Sequence, residues 1–209
     1  MSKRFWAIIV IILLVFGGIL LFGGRNNGSN GAAPTNHIEG QGDAHVTLLE
    51  YGDYECPYCE QYYAIVKQVI AQYNTQIYFQ FRNLPLTQIH PNAFASARAA
   101  EAAGLQNQFW QMHDLLYENQ HQWVSSSNPQ SYFDLYARQL GLNVTTFNND
   151  FSSTKVNNVI NADIDAFSKT GQPEATPTFF LDGQHVTPEP TVDSFARLIN
   201  TTIAQKSKK

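Results

Sequence analysis

The chain has little sulfur and little charge. It holds 2 cysteines among 209 residues, and charged side chains make up 14% of it. Two cysteines fall short of a structural zinc site, which takes four ligands, usually as two spaced pairs. The histidines His37, His45, His90, His113, His121 and His185 do not fill the gap, because no two stand at H-x₃₋₅-H spacing. A net charge of −4 with scattered basic residues leaves no footprint for nucleic acid. Only Lys206, Lys208 and Lys209 cluster, as a solvated end. There is no internal repeat, no carboxylate pair set out for hydrolysis, no Ser-His-Asp arrangement and no phosphate-cradling loop. Nor are there disulfide staples, and the stretch after residue 43 is long enough to build its own core. The cysteine pair is therefore free for chemistry.

What is present begins with Met1-Ser2-Lys3-Arg4 and an uncharged apolar run from Phe5 to Phe22. That run meets the roughly 17–25 residues of a membrane-spanning helix. It exceeds the apolar core of a secretory signal and ends in Gly23-Gly24-Arg25 without a small-residue cleavage site. Residues 1–24 are read as an uncleaved anchor rather than a cleaved signal, in contact with the lipid bilayer. Lys3 and Arg4 place the N-terminus in the cytoplasm, and the rest of the chain on the extracytoplasmic side. Residues 25–43 are rich in Gly, Asn and Ser without apolar periodicity, and read as a flexible linker.

The remainder reads as strand, helix, strand, helical block, two strands and helix. Val46 to Tyr51 is almost wholly apolar and is expected to be a central strand. Tyr62, Val66, Val69, Ile70 and Tyr73 trace one stripe of a helix, and Ile77 to Phe81 is a second strand. A right-handed crossover would make these two strands parallel. From His90 to about Thr170 only helices are expected, with Gly104, Gly141 and Gly171 as stops. Thr178 to Leu181 and Gln184 to Val186 flank Asp182-Gly183, a hairpin signal. Thr191 can cap a last helix. The fold class is α/β, with an all-helical subdomain at 88–170 inserted into a sheet domain made of 44–87 and 171–209.

Cys56-Pro57-Tyr58-Cys59 lies between the first strand and the first helix. Pro57 suits the first helical position, where its missing N–H has no intrahelical partner. Cys56 is then N-cap-like and meets unpaired N–H groups at the positive end of the helix dipole. Its pKa is expected below the free value of about 8.5, and its sulfur is expected to be exposed. Cys59, one turn inward, is expected to keep its proton and act as the resolving thiol. Asp53 and Glu55 oppose the thiolate only weakly if solvent screens them.

Tyr51-Gly52-Asp53-Tyr54-Glu55-Cys56-Pro57-Tyr58-Cys59 resembles the active-site segment of the DsbA-like branch of the thioredoxin superfamily. Phe81 to Leu86, His90-Pro91, Phe109 to Asp114 and Ala175 to Phe179 are similar to further segments of it, so the resemblance covers about residues 44 to 205. It implies a thioredoxin-like fold and a redox pair at Cys56 and Cys59. Pro177 would be a cis-proline against the sulfurs, and Thr176 would offer backbone groups to a bound polypeptide, beside Pro57 and Tyr58. Glu50 resembles a buried acid that shuttles a proton to or from Cys59. Its alternatives are an acid at the sheet surface or one paired with Arg82. One departure is Tyr58, where strongly oxidising relatives often carry histidine. The resemblance implies a thiol–disulfide oxidoreductase, an oxidase of exported polypeptide thiols, reoxidised by a quinone-linked membrane partner. It implies no cofactor or metal beyond the Cys56–Cys59 pair. A reductase or isomerase using the same pair is the alternative; a polypeptide-binding or metal-binding module is the distant one. No dimerisation segment is visible, which favours a monomer.

Overall fold

A computed structural model describes residues 31–208. Five strands form one mixed sheet in the order β1-β3-β2-β4-β5. They are β1 (His37–Glu39), β2 (Val46–Gly52), β3 (Ile77–Asn83), β4 (Thr178–Leu181) and β5 (Gln184–Val186). The β2–β3 pair is parallel, joined through α1 (Pro57–Tyr73) as the crossover requires. The other pairs are antiparallel. Asp182 and Gly183 turn the β4–β5 hairpin with φ of 49° and 82°. Both values lie in the left-handed region that a two-residue hairpin turn of this hand needs.

Side chains alternate across β2, so the sheet has two differently covered faces. Val46, Leu48, Phe79, Phe81, Phe179 and Leu181 join the main core with Val66 and Val69 of α1 and Phe195 and Ile199 of α8 (Val192–Lys206). Tyr51 and Phe180 point the other way, onto Leu84 and Phe167. Glu50 shares the parity of Val46 and Leu48 and so lies on the α1 face.

Between β3 and β4 stand α2 (Ala93–Gly104), α3 (Phe109–Glu118), α4 (Gln120–Trp123), α5 (Gln130–Gln139), α6 (Val144–Phe151) and α7 (Thr154–Ser168). The buried residues of α2 are mostly alanine, and α3, α5, α6 and α7 all pack around it. Small side chains on several faces let neighbouring helices approach closely. Helix α2 ends at Gly104 with Leu105 as its C-cap, and the left-handed residue after it is Asn107, φ 62°. The helix thus stops at Gly104 as expected, but Gly104 is not the left-handed residue of the stop, whereas Gly141 and Gly171 do adopt positive φ. Most of the helical block shares the main core, since Met112, Leu116, Tyr117, Phe133 and Phe147 belong to the same cluster as the sheet residues, while a small cluster of Ala97, Val156 and Ile160 is its own.

The linker expected through residue 43 ends earlier. Residues 37–39 add an edge strand to β3, and the irregular segment before it is tied down by a buried carboxylate. Asp163 of α7 accepts from Thr35 N at 2.7 Å, Thr35 Oγ1 at 2.7 Å and Asn83 N at 3.0 Å. Asn83 Nδ2 bridges to Glu101 Oε1 at 2.7 Å, and His37 Nε2 meets the same Glu101 oxygen at 3.0 Å. Three residues with mixed exposure carry no periodic signal, and their partners are far away in sequence. The span expected at residues 1–24 lies outside the described residues. Among those described, no helix is long and apolar enough to cross a membrane.

Burial raises the Asp163 pKa to about 6, against the hydrogen bonds that lower it. The folded chain therefore holds this proton more tightly than the unfolded one, whose value is about 4. The stability contributed by Asp163 falls as pH rises from that value to about 6. Asp163→Asn is expected to flatten this part of the stability–pH curve. Asp163→Ala strands the buried donors of Thr35 and Asn83 and is expected to lower the unfolding free energy by about 3 kcal/mol, measured by urea denaturation.

Candidate active site

The strand-to-helix turn is built as its residues dictate. Pro57 occupies the first turn of α1 and Cys56 is the N-cap, with φ −72° and ψ 123°. Both cysteines are free thiols. Cys59 is fully buried, and its Sγ accepts from Asp53 N at 3.5 Å. Cys56 is 4% exposed, not open as a helix start alone suggests. Thr176 stands against it, and the Cys56 thiol donates to the Thr176 carbonyl at 3.4 Å. The Thr176–Pro177 peptide is cis. Thr178 Oγ1 donates to the Ala175 carbonyl at 2.7 Å and so fixes the loop leading to Pro177. Tyr58 projects into solvent, 66% exposed.

The two sulfurs are electrostatically unlike. The Cys56 pKa is lowered to about 6, first by the hydrogen bond from the Cys59 thiol. The Thr176 side chain and the backbone N–H groups of Cys59 and Tyr58 add to this, against the effect of burial. The Thr176 carbonyl favours the thiol. The Thr176 hydroxyl, buried and unpartnered in the thiol form, favours the thiolate. Cys59 is pushed well above its ordinary value by burial and by its hydrogen bond to Cys56.

Glu50 is 3% exposed and paired in register with Phe81 on one side and Phe179 on the other. That apolar setting, and then the charge on Cys56, raise its pKa to about 8. Arg82 is not its partner: it lies on the opposite face and donates to the Tyr51 hydroxyl at 2.9 Å and the Thr35 carbonyl at 3.3 Å. Gly52, two residues on, has no room for a side chain, because a Cβ there would lie 2.5 Å from the Phe81 ring.

Asp53 and Glu55 are not solvent-screened. Asp53 is 1% exposed and accepts from Glu55 N at 2.8 Å, Leu86 N at 2.9 Å and His90 Nδ1 at 2.7 Å. Glu55 is buried and accepts from Asn92 N at 2.6 Å, at the start of α2. The helical block also reaches the turn through Gln120, whose Nε2 donates to the carbonyls of Tyr54 at 2.8 Å and Cys56 at 3.0 Å. An acid two residues before a backbone N–H is a recognisable local turn. Gln120 has no such signal. His113 is buried against Tyr54, whose hydroxyl meets Nδ1 at 3.1 Å, and burial lowers its pKa to about 3. Among the described residues no group of three His, Cys, Asp or Glu side chains is placed to hold a metal.

A thioredoxin family model matches residues 32–201, most of the chain and the whole of this site. The chain belongs to the thioredoxin family. Its fold is the DsbA-type variant of the thioredoxin fold, with the helical insertion. Oxidised BdbD from Bacillus subtilis superposes with a TM-score of 0.71 at 21% identity, covering 83% of this chain and 97% of that one. Wolbachia pipientis alpha-DsbA1 gives 0.70 at 17% identity, covering 86% and 98%. MdbA of Actinomyces oris, a thiol-disulfide oxidoreductase, gives 0.64 at 20% identity, covering 86% and 97%. Relatives nearer in sequence include a Na(+)/H(+) antiporter NhaA 1 of Salinispora arenicola, 38% identical over 149 residues, which are 71% of this chain and 22% of that protein. One of the same name from Mycolicibacterium gilvum is 35% identical over 153 residues, 71% of this chain and 24% of that protein. This thioredoxin-family chain thus spans about a quarter or less of the length of those curated relatives.

Thiolate ultraviolet absorbance of the reduced chain is expected to titrate with a midpoint of about 6, and to lose that transition in Cys56→Ser. The folded pKa lies below the unfolded one, so the reduced form gains stability as pH rises. The gain is lost as pH falls through about 6, which denaturation of the reduced chain at several pH values will read. Gln120→Ala leaves two turn carbonyls without this donor. It is expected to lower stability by about 1–3 kcal/mol and to move the Cys56 midpoint upward.

Proposed function

We propose that the chain is an oxidase of thiol-bearing exported polypeptides, using the Cys56–Cys59 disulfide as its two-electron acceptor. The observation that carries this reading is the placement of the Cys56 sulfur. Cys56 stands at the N-cap position of α1, its sulfur meets the Thr176 carbonyl beside Pro177, and Cys59 lies one turn inward.

The steps balance as follows. In the disulfide form, a substrate thiolate attacks the Cys56 sulfur. A substrate–Cys56 disulfide forms, the Cys56–Cys59 bond breaks, and Cys59 leaves as thiolate. The high pKa of Cys59 means that it takes up a proton, and Glu50 at about 8 is mostly protonated near neutrality and is its donor. A second substrate thiolate then attacks the substrate sulfur of the mixed disulfide. The substrate disulfide forms and Cys56 departs as the thiolate its site favours. Two electrons have passed to the enzyme. Thiol leaving groups of low pKa depart faster, and stabilising the reduced form makes a pair more oxidising. The lowered Cys56 pKa supports this direction. Tyr58 limits it, because it supplies no cation where strongly oxidising relatives often carry histidine.

Turnover returns two electrons to a quinone-linked membrane partner. The apolar run from Phe5 to Phe22 supports an anchor that keeps the catalytic unit beside such a partner on the extracytoplasmic side. The alternative direction, reduction or isomerisation, uses the same atoms and differs only in potential.

Equilibration of the full chain with glutathione buffers decides the direction. A potential near about −120 mV is expected for the oxidase, whereas one near about −270 mV assigns the chain as a reductase. Absence of a reversible two-thiol transition overturns the redox reading. Glu50→Gln is expected to slow exchange at neutral pH by about tenfold, with the Cys56→Ser variant inactive.

A further inference from the structure

Two hollows are lined by the loops that hold the sulfur pair, the turn after β3 and the segment before Pro177. One wall is the turn after β3. Asp53, whose N–H points at Cys59 Sγ, holds this turn by Leu86 N at 2.9 Å and His90 Nδ1 at 2.7 Å. Ile89 stands at its tip and is 69% exposed, the most open of the large apolar side chains described. The other wall carries Glu174, two residues before the Thr176 carbonyl that touches Cys56 Sγ. Leu86, Gln88, Ile89 and Glu174 line a hollow of about 170 Å³. A second hollow of about 350 Å³ shares Glu174 and is floored by Leu84, Ile164 and Phe167. The two hollows therefore meet at Glu174. Their linings hold one charged side chain, Glu174, and no cation.

Resting on the oxidase reading above, we infer that this groove selects the polypeptide sequence around the reacting cysteine. It takes an apolar side chain followed by a basic one. The occupant is an extended segment of the substrate whose cysteine forms the mixed disulfide with Cys56. Its apolar side chain enters between Leu86 and Ile89, and its Lys or Arg meets the Glu174 carboxylate. Two residues of backbone span at most about 7 Å, so the segment beside Glu174 lies about two positions from the substrate cysteine. The apolar contact supplies most of the affinity, and the exposed ion pair supplies discrimination rather than strength. Ile89 and Glu174 are specificity residues here; the sulfur chemistry is that of Cys56 and Cys59.

The test uses the oxidised full chain and reduced peptides with one cysteine. Two positions from it, on either side, the peptides carry Leu-Lys, Leu-Glu or Gly-Ser. The rate of mixed-disulfide formation is read by quenching, with reduced glutathione as a small reference thiol. Leu-Lys peptides are expected to react about tenfold faster than Gly-Ser peptides and about threefold faster than Leu-Glu peptides. Ile89→Ser is expected to remove most of the Leu advantage, and Glu174→Lys to reverse the order of the Lys and Glu peptides. Equal rates for all three peptides, or an unchanged order in Glu174→Lys, overturn the groove assignment and leave the redox reading standing if glutathione still reacts. Failure of glutathione and every peptide to react overturns both.

Discussion

A sulfur anion at the first turn of α1 needs donors that stay in place, and much of the polar structure nearby keeps them there. The Cys56 thiolate draws on the Cys59 thiol, the Thr176 side chain and the N–H groups of Tyr58 and Cys59. Each belongs to a segment held from elsewhere. Gln120 grips the turn by two carbonyls, Asp53 binds it to the stretch after β3, and Thr178 closes the loop before Pro177. A donor array fixed before the charge appears does not have to reorganise when it does, which is why such arrays are effective in a buried site.

The same burial that makes these donors effective separates the two thiols. Cys56 at the helix start keeps donors for its anion. Cys59 and Glu50 are enclosed by apolar side chains and hold their protons. Charge is thus tolerated at one sulfur and refused at the other, and a nearby acid is left protonated. Pairs of groups pushed apart in this way are what proton-coupled chemistry at neutral pH requires.

The helical block is part of this arrangement and not an appendage. Most of it shares the main core with the sheet, and three of its members reach the active-site turn: Asn92 through Glu55, His113 through Tyr54 and Gln120 through two carbonyls. Asp163 and Glu101 do the same at the opposite edge, drawing Thr35 and His37 against β3 and α2. The buried acids of this chain therefore differ in what they do, since some fasten segments distant in sequence and one, Glu50, is held protonated by its apolar setting and the charge on Cys56.

The strands β2 and β3, helix α1, the Asp182-Gly183 hairpin and the Thr191 cap were legible in the sequence, because period, capping and turn chemistry act over a few neighbouring residues. So was the ordering of Cys56 before Cys59, since Pro57 and the first helical turn set it locally. Strand β1 was not legible, because three half-exposed residues owe their conformation to pairing with β3. The depth of Asp53 and Glu55, the grip of Gln120 and the narrow opening at Cys56 were not legible either. Those properties depend on groups that come from tens of residues away. Sequence alone determined that two thiols stand one turn apart at the start of α1 and where along the chain they lie. Only the tertiary structure decided which of them keep their protons, because the energy of a charge depends on the water excluded and the dipoles brought near it by the whole fold.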